Sequence, residues 1–326
     1  MKGEYRIGVD VGGTFTDVVG IAADGAETLA KAPSTPHDQS EGVLAGLENL
    51  AAVLGLPLPE LLGRTARIVH GTTVATNALL ERRGARVAML TTEGHRDVVE
   101  MREGLKPERY DTRLPPPAPL VPRRLRIPVR ERLRADGSVV APLNPASLEA
   151  AIEALRAEGV EAVAIAFLHA WSNPAHERAA AAAVAAALPG LYVTQSADVL
   201  PQIKEFERFS TTAVNAYVGP VVSRYLARLA ERLRAAGFGG PLFVILSHGG
   251  VAPVEEAARL AVGTALSGPA GGVAAAVALA RRGAGEDLVT FDMGGTSTDI
   301  ALVSGGEAAL GRGREVGGER IALESL

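Results

Sequence analysis

Apolar residues fall in short runs along this chain, separated by polar stretches rich in glycine and proline. Tyr5–Val11 and 18–22 read as strands joined through Gly12-Gly13, and 27–32 reads as a third. Val43, Leu44, Leu47 and Leu50 recur at helical spacing, which predicts a helix over 39–55. Segments 67–70 and 87–91 read as strands flanking a helix that starts in the threonine-rich stretch and reaches Arg83, with Gly84 as its C′ residue. Segment 114–128 is proline- and arginine-rich and reads as an extended surface excursion. Asp136-Gly137 marks a hairpin turn. Asn144-Pro145 and Asn173-Pro174 each read as an N-cap followed by an N1 proline, opening helices around a buried strand at 162–168. A long helix over 206–236, bent at Gly219-Pro220, precedes a strand at 242–246 that ends in Ser247-His248-Gly249-Gly250. Strands alternating with helices indicate an α/β architecture.

The first hairpin is repeated. Val9-Asp10-Val11-Gly12-Gly13-Thr14-Phe15-Thr16-Asp17 returns as Phe291-Asp292-Met293-Gly294-Gly295-Thr296-Ser297-Thr298-Asp299, again between apolar runs, 287–293 and 300–303. Each copy reads as a hairpin with a Gly-Gly tip, where positive φ would let backbone N–H groups approach an anion. Gly12, Gly13, Gly294 and Gly295 are the tip glycines, and Thr14, Thr16, Thr296 and Thr298 the hydroxyl donors. Asp10 and Asp292 end their strands where a carboxylate could hold Mg²⁺ directly or through water. Asp17 and Asp299 could instead support their own turns. Two near-identical copies in one chain look like two halves of a phosphate clamp. There is no Walker A string and no G-x-G-x-x-G.

These motifs resemble the paired phosphate loops of the actin, sugar kinase and Hsp70 superfamily. Ala265-Leu266-Ser267-Gly268-Pro269-Ala270-Gly271-Gly272-Val273 is similar to that superfamily's adenosine segment, which makes Ser267, Gly268, Gly271 and Gly272 nucleotide-side candidates. Three more stretches narrow the resemblance. They are His70-Gly71-Thr72-Thr73-Val74-Ala75-Thr76-Asn77, Glu207-Arg208-Phe209-Ser210-Thr211-Thr212-Ala213-Val214-Asn215, and Ser247-His248-Gly249-Gly250. Together they resemble the hydantoinase A/5-oxoprolinase family of ATP-dependent hydantoinase and oxoprolinase subunits, to which acetone and acetophenone carboxylase subunits are related. His248 departs from the Ser-Asn-Gly-Gly usual in that family. Family members are about twice this length, so the resemblance implies a fold incomplete at the C-terminus.

That resemblance implies a two-lobed, ribonuclease-H-like, actin-like ATPase fold with a nucleotide cleft. Residues 1–200 would form an N-terminal lobe with the first phosphate loop, and 201–326 a partial second region with the adenosine segment and the second loop. The implied activity is opening of a cyclic amide, a hydantoin or 5-oxoproline, after ATP phosphorylates the amide oxygen. ATP and Mg²⁺ are the implied cofactors, and a hydantoinase B-type subunit the implied partner. Asp10, Asp292 and His70 are the catalytic candidates, with Asp10 and Asp292 on the metal. Thr72, Thr73, Thr76, Asn77, Glu207, Arg208 and Asn215 are the substrate-side candidates. The threonines could equally cap a helix, and Glu207, Arg208 and Asn215 could equally be ordinary helix residues. An acetone carboxylase-type subunit, a small-molecule kinase and a truncated ATP-binding module remain alternatives.

Composition narrows the classes. The 326 residues are 47% hydrophobic and 21% charged, with a formal charge of −4 and a pI near 5.9. No basic stripe interleaves with aromatics, which argues against nucleic acid as a partner. No cysteine is present, so thiol nucleophiles, thiolate metal sites and disulfides are excluded, and with them an iron–sulfur activator ATPase. The first strand starts at Tyr5, leaving no room for a signal peptide, and the apolar run 179–188 is too short for a bilayer. The expectation is a cytoplasmic protein without a membrane partner.

Overall fold

The structure, a computed structural model, describes residues 4–35, 37–104, 108, 110–115, 117–293 and 298–326. Its principal elements, in chain order, are β1 (Tyr5–Val11), β2 (Phe15–Ala22), β3 (Glu27–Pro33), α1 (Gln39–Val53), β4 (Thr65–Thr72), α2 (Val74–Leu80), β5 (Val87–Thr92), β6 (Arg126–Val129), α3 (Pro145–Glu158), β7 (Ala162–Ala166), α4 (Ala175–Ala187) and β8 (Tyr192–Gln195). There follow α5 (Glu205–Ala235), β9 (Leu242–Ile245), β10 (Val251–Pro253), α6 (Ser267–Leu279), β11 (Leu288–Met293), β12 (Thr298–Ser304) and β13 (Glu307–Ala308). They group into two compact units. One holds residues 1–77, 221–311 and 324–326, and the other 78–220 and 312–323. This spatial grouping is a different division from the chain-order one at residue 200.

The first unit is built on a six-stranded mixed sheet, ordered β10-β9-β4-β1-β2-β3. β1 and β2 form a hairpin, while β1–β4 and β4–β9 are parallel. Ile7, Val9, Val11 and Val18 point to one face and are buried. Helix α1 covers that face, and its own glycines explain how closely it sits. A Cβ on Gly46 would lie 2.7 Å from Val18 Cγ2, and one on Gly42 3.1 Å from Thr16 Oγ1. These glycines weaken the helix by about 1 kcal/mol each relative to alanine and gain that close approach. Asp38 starts the helix by accepting a hydrogen bond from Ser40 N at 3.1 Å. The second copy of the hairpin, β11–β12, belongs to a separate three-stranded sheet ordered β11-β12-β13. The repeat holds at the level of register, since Asp10 faces Asp17 and Asp292 faces Asp299.

The second unit centres on a parallel sheet ordered β8-β7-β5-β6. Every residue of β5 and β7 is buried, as expected of central parallel strands covered on both faces. Asn144 caps α3 by accepting from Ser147 N at 2.8 Å, and Gly159 (φ 58°) ends it.

Two local expectations change. The helix after β4 stops at Leu80, and Arg82, not Gly84, takes the left-handed conformation beyond it (φ 54°). Gly84 is needed for space, since a Cβ there would meet the Tyr217 ring at 2.2 Å. The stretch 114–128 is not all surface, because Arg126 opens the edge strand β6 and is 2% exposed. Its guanidinium is tolerated there because it donates to the Val121 carbonyl at 2.9 Å and to Glu100 at 2.8 Å. Helix α5 continues past Pro220. Among the described residues no helix is long and apolar enough to cross a membrane.

Candidate nucleotide site

The site lies in the first unit, where the parallel strands β1 and β4 end. Asp10 faces Gly71 across the ladder, and a Cβ on Gly71 would fall 2.6 Å from Asp10 Oδ1. Glycine at 71 therefore makes room for the carboxylate. Gly268, in the first turn of α6, lies on the same side, 3.7 Å from that oxygen by the same measure. The first-turn amides of a 13-residue helix thus open beside Asp10, a setting that favours anions. Asp10 keeps solvent-accessible surface, yet the protein around it still desolvates the carboxyl. That desolvation raises its pKa above the usual carboxylate range, and the charges of Asp17 and Asp292 push it further. Asp10 and Asp292 thus lie within each other's electrostatic field. Asp17 has its own partner, Lys31, directly opposite on β3 at 3.1 Å.

The first tip is held by a residue that sequence reading missed. Ser34 Oγ donates to the Gly12 carbonyl at 2.8 Å, and Ser34 N donates to the Thr14 carbonyl at 2.9 Å. The turn closes through Gly12 N to the Phe15 carbonyl at 3.0 Å. Neither Gly12 nor Gly13 takes positive φ, so the reason expected for them does not apply. Gly13 instead borders open space, and Thr14 is exposed. Thr16, expected as a hydroxyl donor to phosphate, is fully buried with Oγ1 3.4 Å from Ser34 Oγ. In the second tip, Thr298 is exposed, whereas Gly294, Gly295 and Thr296 lie outside the described residues.

The adenosine-like segment is clasped to the end of β4. Ser267 Oγ donates to the Thr72 carbonyl at 2.9 Å, and Leu266 N donates to Thr76 Oγ1 at 2.9 Å. Ser267 is fully buried and its hydroxyl is occupied internally, so it is a clasp and not an open ligand. Gly271 packs against Ile245, while Gly272 is exposed with nothing near its missing Cβ. Asn77 Nδ2 donates to Thr73 Oγ1 at 3.3 Å. The threonine-rich segment thus spends its hydroxyls on internal hydrogen bonds.

His70 and Thr72 flank Gly71 in β4 and so project to the opposite face from Asp10. His70 is fully buried, with Nε2 2.7 Å from the Tyr225 hydroxyl. Burial lowers its pKa to about 4, against an opposing pull from the Val9 carbonyl, and keeps the ring neutral. Burial raises the Tyr225 phenol, with a hydrogen bond to Thr72 opposing that shift. His70 does not join the group around Asp10, and its place is that of a positioning residue under β4.

Glu207, Arg208 and Asn215 belong to the second unit. Arg208 is fully buried and donates to Ser196 Oγ (3.1 Å), the Gln202 carbonyl (2.9 Å) and the Phe167 carbonyl (3.0 Å). Next to it Glu177 accepts from Phe167 N, Ser196 Oγ and Ala197 N. Burial pushes Glu177 up to about 7, while those donors and Arg208 pull it down. Asn215 is buried and donates to Thr194 Oγ1 at 2.9 Å. Glu207 lies 3.6 Å from Arg320 and 3.8 Å from Lys204. Arg208 and Asn215 are interior residues of that unit. The sequence carried one signal for this network, since Glu177 shares a helical stripe with Ala180 and Val184, all buried. His248 closes its turn as a short polar side chain would, accepting from Gly250 N at 3.2 Å, with Gly249 left-handed (φ 80°).

The chain can be compared with known proteins. The family model "Hydantoinase/oxoprolinase N-terminal region" matches residues 6–188, and "Hydantoinase/oxoprolinase" matches 208–326. Caprolactamase subunit alpha of Pseudomonas jessenii is 41% identical over 332 residues, covering 100% of this chain and 48% of that protein. The crystal structure of ATP-dependent caprolactamase from that organism superposes with a TM-score of 0.89 over 98% of this chain and 47% of that one. The nucleotide-free acetone carboxylase structure gives a TM-score of 0.87 at 30% identity, over 98% and 46%. 5-Oxoprolinase of Saccharomyces cerevisiae is 31% identical over 342 residues, covering 94% of this chain and 26% of that protein. The chain thus spans about half or less of the length of these relatives, and its mixed α/β fold with parallel strands is theirs. By these matches, the chain belongs to the hydantoinase/oxoprolinase family.

Proposed function

We propose that this chain is the ATP-binding part of a cytoplasmic, ribonuclease-H-like enzyme of the actin-like type, which activates a cyclic amide for hydrolysis. The observation that carries the reading is Asp10, cradled by Gly71 and Gly268 at the start of α6 and within the field of Asp292. Two carboxylates that repel each other fit a divalent cation. Among the described residues no group of three or more His, Cys, Asp or Glu forms a cage by itself. A pair of carboxylates suits Mg²⁺, which keeps several waters and completes its shell with substrate phosphates. Asp10 and Asp292 would hold it, and it would neutralise charge building up between the β- and γ-phosphates.

In this reading Gly13, Thr14 and Gly272 border the nucleotide, the α6 first-turn amides face a phosphate, and Ser34 holds the tip. The terminal phosphoryl passes to the amide oxygen and the bond to ADP breaks. Water then adds to the activated carbon, the ring C–N bond opens and phosphate leaves. His70, Tyr225, Thr76 and Ser267 keep the strand end and helix start in place. Regions 1–200 and 201–326 each carry one phosphate hairpin. A hydantoinase B-type subunit is the proposed partner. The acetone carboxylase likeness favours a second reading, in which the same transfer activates a ketone for carboxylation.

Calorimetry with Mg·ATP tests the nucleotide reading, and saturable heat that vanishes when Mg²⁺ is chelated is expected. Well-folded protein without such heat would remove it. Phosphate release stimulated by a lactam or 5-oxoproline, against release stimulated by acetone with bicarbonate, separates the two substrate classes, with the B-type subunit present in both arms.

A further inference from the structure

The sheet of the second unit has a topology of its own. Taken in chain order, its strands β5, β6, β7 and β8 lie in the spatial order second, first, third, fourth, and all run parallel. The connection after β5 leads to one side and the one after β6 crosses to the other, so the chain changes direction between β5 and β7. Ligands of such sheets bind beyond the carboxyl ends of the strands at that point. His95, Arg132 and His169 each stand three residues past the end of a strand, after Thr92, Val129 and Ala166. Arg132 Nη1 lies 3.4 Å from Nδ1 and 3.5 Å from Nε2 of His95, and among the described residues it pairs with no carboxylate. The neighbouring acids are engaged elsewhere. Glu93 lies 3.3 Å from Arg130, Glu131 lies 2.7 Å from His176, and Asp136 accepts from Ser138 N at 2.9 Å. Arg132, Asp136 and His169 line one open hollow beside Leu133 and Val140.

His169 takes the left-handed backbone conformation (φ 59°), which glycine adopts without strain, and its carbonyl accepts from Ser172 N at 2.9 Å and Asn173 N at 3.3 Å. A strained side chain at a ligand-binding edge argues for a use. Its Nδ1 is enclosed without a hydrogen-bond partner among the described residues. An enclosed N–H without an acceptor is rarer than an enclosed lone pair without a donor, so the proton of the neutral ring sits on Nε2. Burial lowers the His169 pKa, Glu205 opposes that shift, and Arg132, Arg208 and His95 lower it further. The ring is thus a neutral donor set among cations. We propose that Arg132, backed by His95, and the Nε2–H of His169 form an oxyanion site that takes the carboxylate or phosphate group of a small molecule. The guanidinium supplies parallel N–H donors for two oxygens, and the imidazole supplies one more. The site lies wholly in the second unit and does not rest on the nucleotide reading.

The imidazole NMR signals of the six histidines test it, each assigned by single replacement with glutamine. Inorganic phosphate and acetate are titrated separately, against sodium chloride at equal ionic strength, with no nucleotide present. At least one of the two anions is expected to shift the His95 and His169 signals saturably while leaving His37 unmoved. Saturation by phosphate alone assigns the site to a phosphate-bearing ligand, and saturation by acetate alone to a carboxylate. Arg132→Ala is expected to weaken binding at least about 10-fold, read from the His169 signal, while Arg178→Ala, at an exposed position on α4, leaves it unchanged. Arg132→Gln keeps most of the bulk without the charge and repeats the test. His169→Gly relieves the backbone, so it should raise the melting temperature while weakening binding read from His95, a combination that a merely structural histidine would not give. No saturable shift with either anion overturns the proposal. So do shifts that chloride reproduces, and binding undiminished in folded Arg132→Ala and Arg132→Gln. Circular dichroism checks the folding of each variant.

Discussion

On β1 and β2, Val9 sits opposite Val18 under a helix whose glycines bring it to within contact of the strand. On β11 and β12, Phe291 sits opposite Ile300 and faces solvent. The local sequence is nearly the same, and so is the register, with the leading aspartate facing the trailing one in both. The register of the hairpin is thus set by its two strands, while the burial of its apolar face is decided by what packs on it. The same motif is covered on its apolar face in one place and, among the described residues, uncovered in the other.

The sharpest way to break that comparison is to remove cover from the first copy. Leu50 packs against Gly20 and is fully buried, so Leu50→Ala should cost about 2–5 kcal/mol in urea unfolding. Ile300→Ala in the isolated chain should stay within about 0.5 kcal/mol of the parent. Equal losses at the two sites would end the comparison.

A second contrast is in pH. His70 backs the first hairpin, and its folded pKa of about 4 lies below its ordinary value of 6.5. The unfolded chain takes up the proton first, so stability is full above about pH 6.5 and declines down to about pH 4, by about 3 kcal/mol in all. His70→Phe should flatten this acid limb, although it also removes one hydrogen-bond partner of the Tyr225 hydroxyl. Hydrogen exchange should show β1 and β4 opening on acidification before β11 and β12 do.

Ligand binding gives the third contrast. At nucleotide about 100-fold above its Kd, binding adds about 2.7 kcal/mol to stability. Asp10→Asn should abolish most of that gain in a thermal-shift series with Mg·ATP. It should also slightly stabilise the free protein, because it removes a desolvated charge from the field of Asp17 and Asp292. A smaller loss is expected from Ser34→Ala, which removes the hydroxyl clip on Gly12 and should cost about 1 kcal/mol in chemical denaturation.

The strands, most helices, both hairpins and the family were legible in the sequence, because each rests on periodicity or on residues close together in the chain. The roles of the site residues were less so. Thr16 and Ser267 look like donors in a string of residues, but their hydroxyls turn inward to Ser34 and to the Thr72 carbonyl. Arg208 looks like a binding residue because an arginine on a helix is usually wet, yet the carbonyls of Gln202 and Phe167 hold it in the interior. Ser34 gave no sign at all, since nothing near it in the chain points to a tip 22 residues away.

Leu266 carries a further consequence. It is one of five non-glycine residues described with positive φ (φ 61°, ψ 26°), and it directly precedes α6. A left-handed leucine costs about 1–2 kcal/mol, and here the hydroxyl of Thr76 holds its N–H. Positions 76 and 266 therefore limit each other's drift over evolutionary time, though 190 residues separate them. A lineage that loses the hydroxyl at 76 should gain glycine at 266, which adopts that backbone without help, and a β-branched residue at 266 should be absent from both kinds of lineage.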